Sequence, residues 1–420
     1  MELARAGVRT DTDAIHNSGG VDMSDHEVNY KILLAGSVAD GSLDASQRSA
    51  VLRACVDEAA EDVLAHNASQ SLCLSLDLLR AAEAPERIAD AAGFLVRHAE
   101  LDAALEGLPE DGHAATWTRP DLAILLSYSK LLAKRALASS DLIDQPALAP
   151  LLRSYFPPRL RDAFAPALES HRLRREIRAL VLVNRVVDHA GVTLVPELSR
   201  TLAVDAGEVL AAYWTADQLL DAEALRAAAD ASSATEAERL RARLGVEDAL
   251  REAAALGLGL ERRALLAPDE LLQRREILAE LRSRVAPGRA DLDALPPLVR
   301  ALGALVASLR SGAPLAHALE LWSELGERTR IAWLLDRLAS VDRRDAWSRI
   351  GAAAIALDVT RVLCELCERE LASTTPERNS RRAELDAKIG AIARLAAEIE
   401  AGQRGLAPLL VLSQRIRRLC

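Results

Sequence analysis

From about residue 46 onward, apolar residues in this chain return at every third or fourth position, and the spacing hardly lapses before the C-terminus. Leu52, Cys55, Val56, Ala59, Val63 and Leu64 form one such stripe between Ser46 and Asn67, with Asn67 expected to stop the helix. Leu385, Ile389, Ile392, Leu395 and Ile399 form another, spaced for an antiparallel helix pair or a short coiled coil. Strands would need apolar and polar residues to alternate instead. Composition agrees: half of the chain is hydrophobic but only 3% is aromatic, so the apolar weight falls on Leu, Ala and Val. Leu and Ala favour helix, whereas sheets draw on aromatic and β-branched residues. The expected fold class is all-α, a multi-helix, bundle-like chain.

Start and stop signals punctuate the pattern. Thr118 precedes Arg119-Pro120-Asp121, so Thr118 can cap a helix, Asp121 can reach back to it, and Pro120 is tolerated in the first turn. Asp205 with Glu208 three residues on is a second such start. Between them, a proline-rich hinge leads into a long helix expected from about Arg159 to His189, ended by Gly191. Beyond residue 231 the chain is rich in Ala, Leu, Arg and Glu, with breaks expected near Pro268, Pro287, Pro296-Pro297, Pro314 and Pro376. No repeat of fixed period is visible. Residues 1–24 stand apart, rich in Asp, Thr, Ser, Asn and Gly, and read as loop with a possible short strand. Within them Gly19-Gly20 marks a sharp turn or a close approach of backbone to a ligand. Three regions are expected: 1–40, 41–230 and 231–420.

The formal net charge is −10, with 62 acidic against 52 basic residues, which argues against nucleic acid or an anionic membrane as partner. Met1 to Gly20 contains no apolar core of a signal peptide, and no stretch reaches the roughly 18 uninterrupted apolar residues of a membrane span. Five cysteines, at 55, 73, 364, 367 and 420, read as reduced thiols. The expected compartment is the cytoplasm.

Motifs for chemistry are scarce. There is no G-x-G-x-x-G after a strand and no Walker-type phosphate loop, so no nucleotide site is expected in this chain alone. Asp25-His26-Glu27 suggests metal, but neighbouring residues on a helix point in different directions, and no metal site is expected. Cys364-Glu365-Leu366-Cys367 has redox or zinc spacing without a second pair, and reads as two packed thiols. Seven arginines between Arg159 and Arg185 read as a solvated face or a salt-bridge layer, the alternative being a contact surface toward another subunit or domain. The tryptophans at 117, 214, 322, 333 and 347 are expected to anchor cores.

One segment carries more. Asp13-Ala14-Ile15-His16-Asn17-Ser18-Gly19-Gly20-Val21-Asp22-Met23-Ser24-Asp25-His26-Glu27-Val28-Asn29 could by itself be a Gly-rich turn before a helix. It also resembles the tail of the catalytic region in glutamate dehydrogenases, which carry Asn, a small residue, two glycines, Val, and Ser three residues later. The Ser-Asp-His-Glu-Val-Asn form is similar to the large bacterial NAD-specific branch, where the smaller enzymes have aromatics at the positions of Asp25, His26 and Val28. Further blocks in the same order are similar to the C-terminal region of those large enzymes: Thr118 to Lys130, Tyr155-Phe156-Pro157, and His171 to Ile177 followed by Asn184. The likeness covers residues 10 to about 230 and is loose beyond.

The resemblance implies roles. Asn17 would lie beside the nicotinamide carboxamide, Ser24 would bind the side-chain carboxylate of glutamate, and Gly19 and Gly20 would let backbone pass close to the ligands. Amide can pair with amide and hydroxyl can donate to carboxylate, and a helix entered near Ser24 would add its positive end. The family's reaction turns glutamate and NAD into 2-oxoglutarate, ammonia and NADH, using a lysine, an aspartate and a dinucleotide fold that lie upstream. No catalytic residue is therefore expected here. NAD is expected as cofactor of the parent enzyme, not of this chain alone. The expected partners are the upstream catalytic region and, in the parent, further copies of itself. The alternative is an independent helical interaction scaffold whose N-terminal motif is a relic.

Overall fold

The computed structural model describes every residue except 1, 9, 110–115, 232–234, 261–267, 287–290, 342–344, 374 and 403–404. Among the described residues all regular structure is helical and no strand occurs. The chain is all-α, as its composition and periodicity dictate.

Two compact units divide it. One comprises Met1–Pro196 with Asp205–Trp214, and the other Glu197–Val204, Thr215–Leu265 and Asp269–Cys420. The first is organised around the 28-residue helix Val56–Glu83, which packs against Ser18–Ala39, Pro85–His98, Arg119–Ala138 and Arg174–Ala190. Its buried face includes Ala59, Val63, Leu74 and Leu76. Each large aliphatic side chain so buried contributes about 1.5–3 kcal/mol. A further cluster of Tyr30, Leu34, Cys55, Phe156, Leu160 and Ile177 fixes the helix Ser18–Ala39 in place.

The second unit has the same plan around Ala346–Ala372, against which Glu236–Leu260, Asp291–Ser311, Leu315–Arg328, Ile331–Ala339 and Leu406–Arg417 pack. The predicted stripe is seated here: Leu385, Ile392 and Ile399 are buried with Leu409, Leu412 and Ile416. Leu292–Ser311 is long and apolar enough to cross a membrane by length and composition, but just over half of it (56%) is buried inside this core. Cys364 and Cys367 lie fully buried in the same cluster as packed thiols. Burial pushes both thiols up, Cys367 to about 12.

Several element boundaries differ from the expectation. Among the described residues of 1–24 no strand occurs and most of the segment is helical: helices run over Glu2–Arg5 and Asp13–His16, and Ser18–Ala39 begins inside the supposed turn. Gly19 and Gly20 are helical. Asn67 does not end a helix but sits within Val56–Glu83, where its side-chain amide donates to the Ile15 carbonyl at 2.8 Å. The single long helix from Arg159 is three pieces, Pro158–Ala163, Ala165–Glu169 and Arg174–Ala190. Pro296-Pro297 breaks nothing, both residues lying inside Asp291–Ser311. Pro376 falls in the first turn of Thr375–Gly402, and Pro287 lies outside the described residues. Of the tryptophans, 117 and 214 are buried, 322 and 333 are half-buried, and Trp347 is 76% exposed, so it is no core anchor.

Candidate functional site

The N-terminal end of the helix Ser18–Ala39 holds every residue to which the sequence gives a ligand-binding role. Asn17 is the junction between Asp13–His16 and this helix, with helical backbone angles, and its carbonyl accepts the Val21 N–H at 3.1 Å. Positions 17, 20 and 24 are three and four residues apart, which places them on one helix face. All three are exposed. The Ser24 hydroxyl donates to the Gly20 carbonyl at 3.3 Å. A Cβ on Gly20 would come within 3.3 Å of the Asn17 side-chain oxygen, so glycine there leaves the amide room to lie across the helix. Gly19 is turned aside, toward Val63 of the neighbouring helix. The structure thus brings Asn17, Gly20 and Ser24 together and places Gly19 apart from them. Ser24 lies beyond the helix's first turn, so the positive end expected beside it is at Ser18 instead.

The chain just ahead of this face is tied to two neighbouring helices. The Arg119 guanidinium grips the Asp11 carboxylate at 2.6 and 3.2 Å and donates to the Ser75 hydroxyl at 2.9 Å and the Ser71 carbonyl at 3.1 Å. Arg119 occupies the first position of its helix because Thr118 and Asp121 start it: the buried Asp121 carboxylate accepts from the Thr118 N–H at 2.8 Å and its hydroxyl at 2.6 Å. Asp205 and Glu208 cap reciprocally in the same manner, at 2.9 and 3.1 Å.

A second constellation occupies an adjacent face of the same helix. Asp22 and His26 stand one turn apart and meet His66 from the helix Val56–Glu83. His66 Nδ1 is 2.8 Å from one Asp22 oxygen, and His26 Nε2 is 3.5 Å from the other. His26 is only 1% exposed. Its ring stacks on Tyr155 with centroids 4.3 Å apart, and its Nδ1 is 3.1 Å from the Tyr30 hydroxyl. Tyr155 is itself fixed by the Asn29 side-chain amide, which donates to its hydroxyl at 3.1 Å. Burial pushes the Asp22 carboxyl up, but the hydrogen bond and charge of His66 outweigh it and hold the group below its ordinary range. The same bond raises His66, while burial lowers His26 against the pull of Asp22.

Asp25 and Glu27, the flanking acids of the sequence motif, are exposed and do not belong to this cluster. The i, i+4 spacing of Asp22 and His26 is visible in the sequence. His66 carries no such signal, since only the packing of two helices brings it near. Several of the arginines between 159 and 185 meet acids: Arg159 faces Glu58 at 3.7 Å, Arg178 faces Glu169 at 3.7 Å, and Arg175 pairs with Asp144.

Comparison with known proteins follows the same division of the chain. The family model of the bacterial NAD-glutamate dehydrogenase catalytic domain matches residues 1–77, and that of the glutamate dehydrogenase C-terminal region matches 115–286 and 254–418. An NAD-specific glutamate dehydrogenase of Mycobacterium tuberculosis is 29% identical over 458 aligned positions, covering 100% of this chain and 28% of that protein. One of Pseudomonas aeruginosa is 31% identical over 86% of this chain and 24% of its own length, and one of Halomonas elongata is 28% identical with the same coverage. The chain therefore spans about a quarter of the length of the curated relatives it matches. With family models covering the greater part of it in the family's order, this chain belongs to the large bacterial NAD-specific glutamate dehydrogenases.

Proposed function

We propose that this chain serves as the helical C-terminal portion of an NAD-dependent glutamate dehydrogenase, which converts glutamate and NAD to 2-oxoglutarate, ammonia and NADH. Its task is to present the exposed Asn17, Gly20 and Ser24 face to the remainder of the catalytic domain and to hold that face rigid. The observation that carries this reading is the convergence of those three residues on one helix face within the 1–77 segment matched by the catalytic-domain family model. In this reading Ser24 donates to the glutamate side-chain carboxylate, Asn17 meets the nicotinamide amide, and Gly20, on the same face, keeps the backbone close to both, while Gly19 packs toward the neighbouring helix. Fixed polar groups of this kind position substrate rather than break bonds. The bond-breaking lysine and aspartate, and the sheet that grips NAD, come from the rest of the enzyme. The reading also carries a cytoplasmic location and a homo-oligomeric parent.

The purified chain with glutamate and NAD is expected to give no NADH absorbance. Adding the rest of a catalytic domain from the same family is expected to restore turnover, and Ser24→Ala in the restored enzyme to raise the KM for glutamate at least tenfold. Turnover by the chain alone, or no association on mixing, would overturn the proposal.

A further inference from the structure

Asp22, His26 and His66 offer one carboxylate oxygen and two imidazole nitrogens, all within 4.8 Å of one another. We propose that these three side chains form a site for a divalent transition cation of the zinc type, pinning the helix Ser18–Ala39 to Val56–Glu83.

Four observations support the assignment. First, His26 Nε2 is buried, faces the cluster and makes no hydrogen bond, although its ring is otherwise fully engaged. A buried nitrogen that makes no hydrogen bond, its nearest acceptor standing 3.5 Å away, is poorly satisfied, and a coordinated ion would satisfy it. Second, the ring is oriented for ligation: Nδ1 is held 3.1 Å from the Tyr30 hydroxyl, and in the tautomer that carries its proton on Nδ1 the Nε2 lone pair faces Asp22. A hydrogen-bonded second nitrogen is the usual companion of a metal-bound histidine.

Third, the spacing fits. Bonds of about 2.0–2.1 Å in a tetrahedron put neighbouring ligand atoms about 3.3 Å apart. Here two different Asp22 oxygens stand 2.8 and 3.5 Å from His66 Nδ1 and His26 Nε2, and one ligand atom from each residue lies within 4.8 Å of the others, so the side chains draw inward on binding. Two imidazoles with one carboxylate suit zinc or its first-row neighbours and leave a position for water. Fourth, an ion can enter, because Asp22 is 20% and His66 38% exposed. Asp62 adds a further carboxylate acting on His66, while Asp188 is neutralised by its ion pair with Lys130 at 2.7 Å. On binding, His66 Nδ1 gives its proton to solvent and exchanges its bond to Asp22 for one to the metal.

The test uses the full chain in a Cys420→Ser background, so that the exposed thiol does not compete. Metal-free protein is titrated with zinc chloride by calorimetry, and the bound zinc is counted by elemental analysis after desalting. One zinc per chain is expected, with an upward shift of Tm. His66→Asn and Asp22→Asn, on partly exposed positions, are expected to weaken binding at least tenfold while keeping the helical circular dichroism. His26→Gln serves as a third variant if it folds. Less than a tenth of a zinc per chain, or unchanged affinity in both His66→Asn and Asp22→Asn, would sink the site.

Discussion

Gly191 shows how much a single hydrogen atom in place of a side chain can decide. Its φ of +80° is one that L side chains rarely adopt, and a Cβ there would lie 2.3 Å from an Asp77 oxygen and 2.4 Å from Arg80 Nη1. Those two side chains are buried and bonded at 2.7 Å, and the other Asp77 oxygen accepts the Val192 N–H at 3.0 Å. Gly191→Ala must therefore strain the backbone and drive a buried ion pair apart. Breaking such a pair costs about 3–5 kcal/mol, and a fall of that size is expected in urea-unfolding stability. A loss below about 1 kcal/mol would show that Asp77 and Arg80 move aside freely. That Gly191 ends a helix is readable from sequence. Its role over a charge pair on another helix is not, because Asp77 and Arg80 look like ordinary members of a solvated face. The same holds for His66, whereas Asn17 and Ser24 are legible because a family pattern marks them.

Whole helices were easier to foresee than their ends. The capping pairs at Thr118–Asp121 and Asp205–Glu208 are found where the residue types require them, since their hydrogen bonds span only three positions. Asp121→Ala removes a fully buried acceptor from both the Thr118 N–H and its hydroxyl. It is expected to destabilise the first unit by about 1–2 kcal/mol, read as a lower denaturation midpoint with Asp121→Asn intermediate. An unchanged midpoint would mean that the cap is dispensable. The helix expected from Arg159 to His189 fails for a reason also present in the sequence. Pro166 lacks an N–H and its ring clashes with the carbonyl four residues back, so it is tolerated only in a first turn, and the chain breaks at Phe164 and restarts at Ala165. A second break follows at His171, whose Nδ1 accepts the Leu173 N–H at 3.1 Å. Pro296-Pro297 does the reverse. Near the start of a helix the pair removes only two backbone bonds, which the buried Leu295, Leu298 and Val299 outweigh.

At the scale of the molecule, the chain passes between its two units more than once. Glu197–Val204 belongs to the second unit, yet Asp205–Trp214 returns to the first, bringing the buried Val209, Leu210 and Tyr213. A fragment of residues 1–214 is therefore expected to unfold cooperatively. One of 1–196 is expected to lose several kcal/mol, since each of those side chains contributes about 1.5–3 kcal/mol. Equal midpoints for the two fragments would contradict that assignment. The all-helical class was legible because periodicity and composition act over hundreds of residues. The interleaving was not, because a helix carries no local mark of the core it will join.

The Arg119 clasp has a consequence for how such chains diversify. The arginine lies in the segment that matches the C-terminal family model, and the aspartate and serines it grips lie in the segment that matches the catalytic-domain model. The two matched segments are thus fastened by one guanidinium within a single folded unit. A shuffling event that exchanged either segment alone would strand a cation or an anion at the seam, so the two are expected to travel through evolution as a pair.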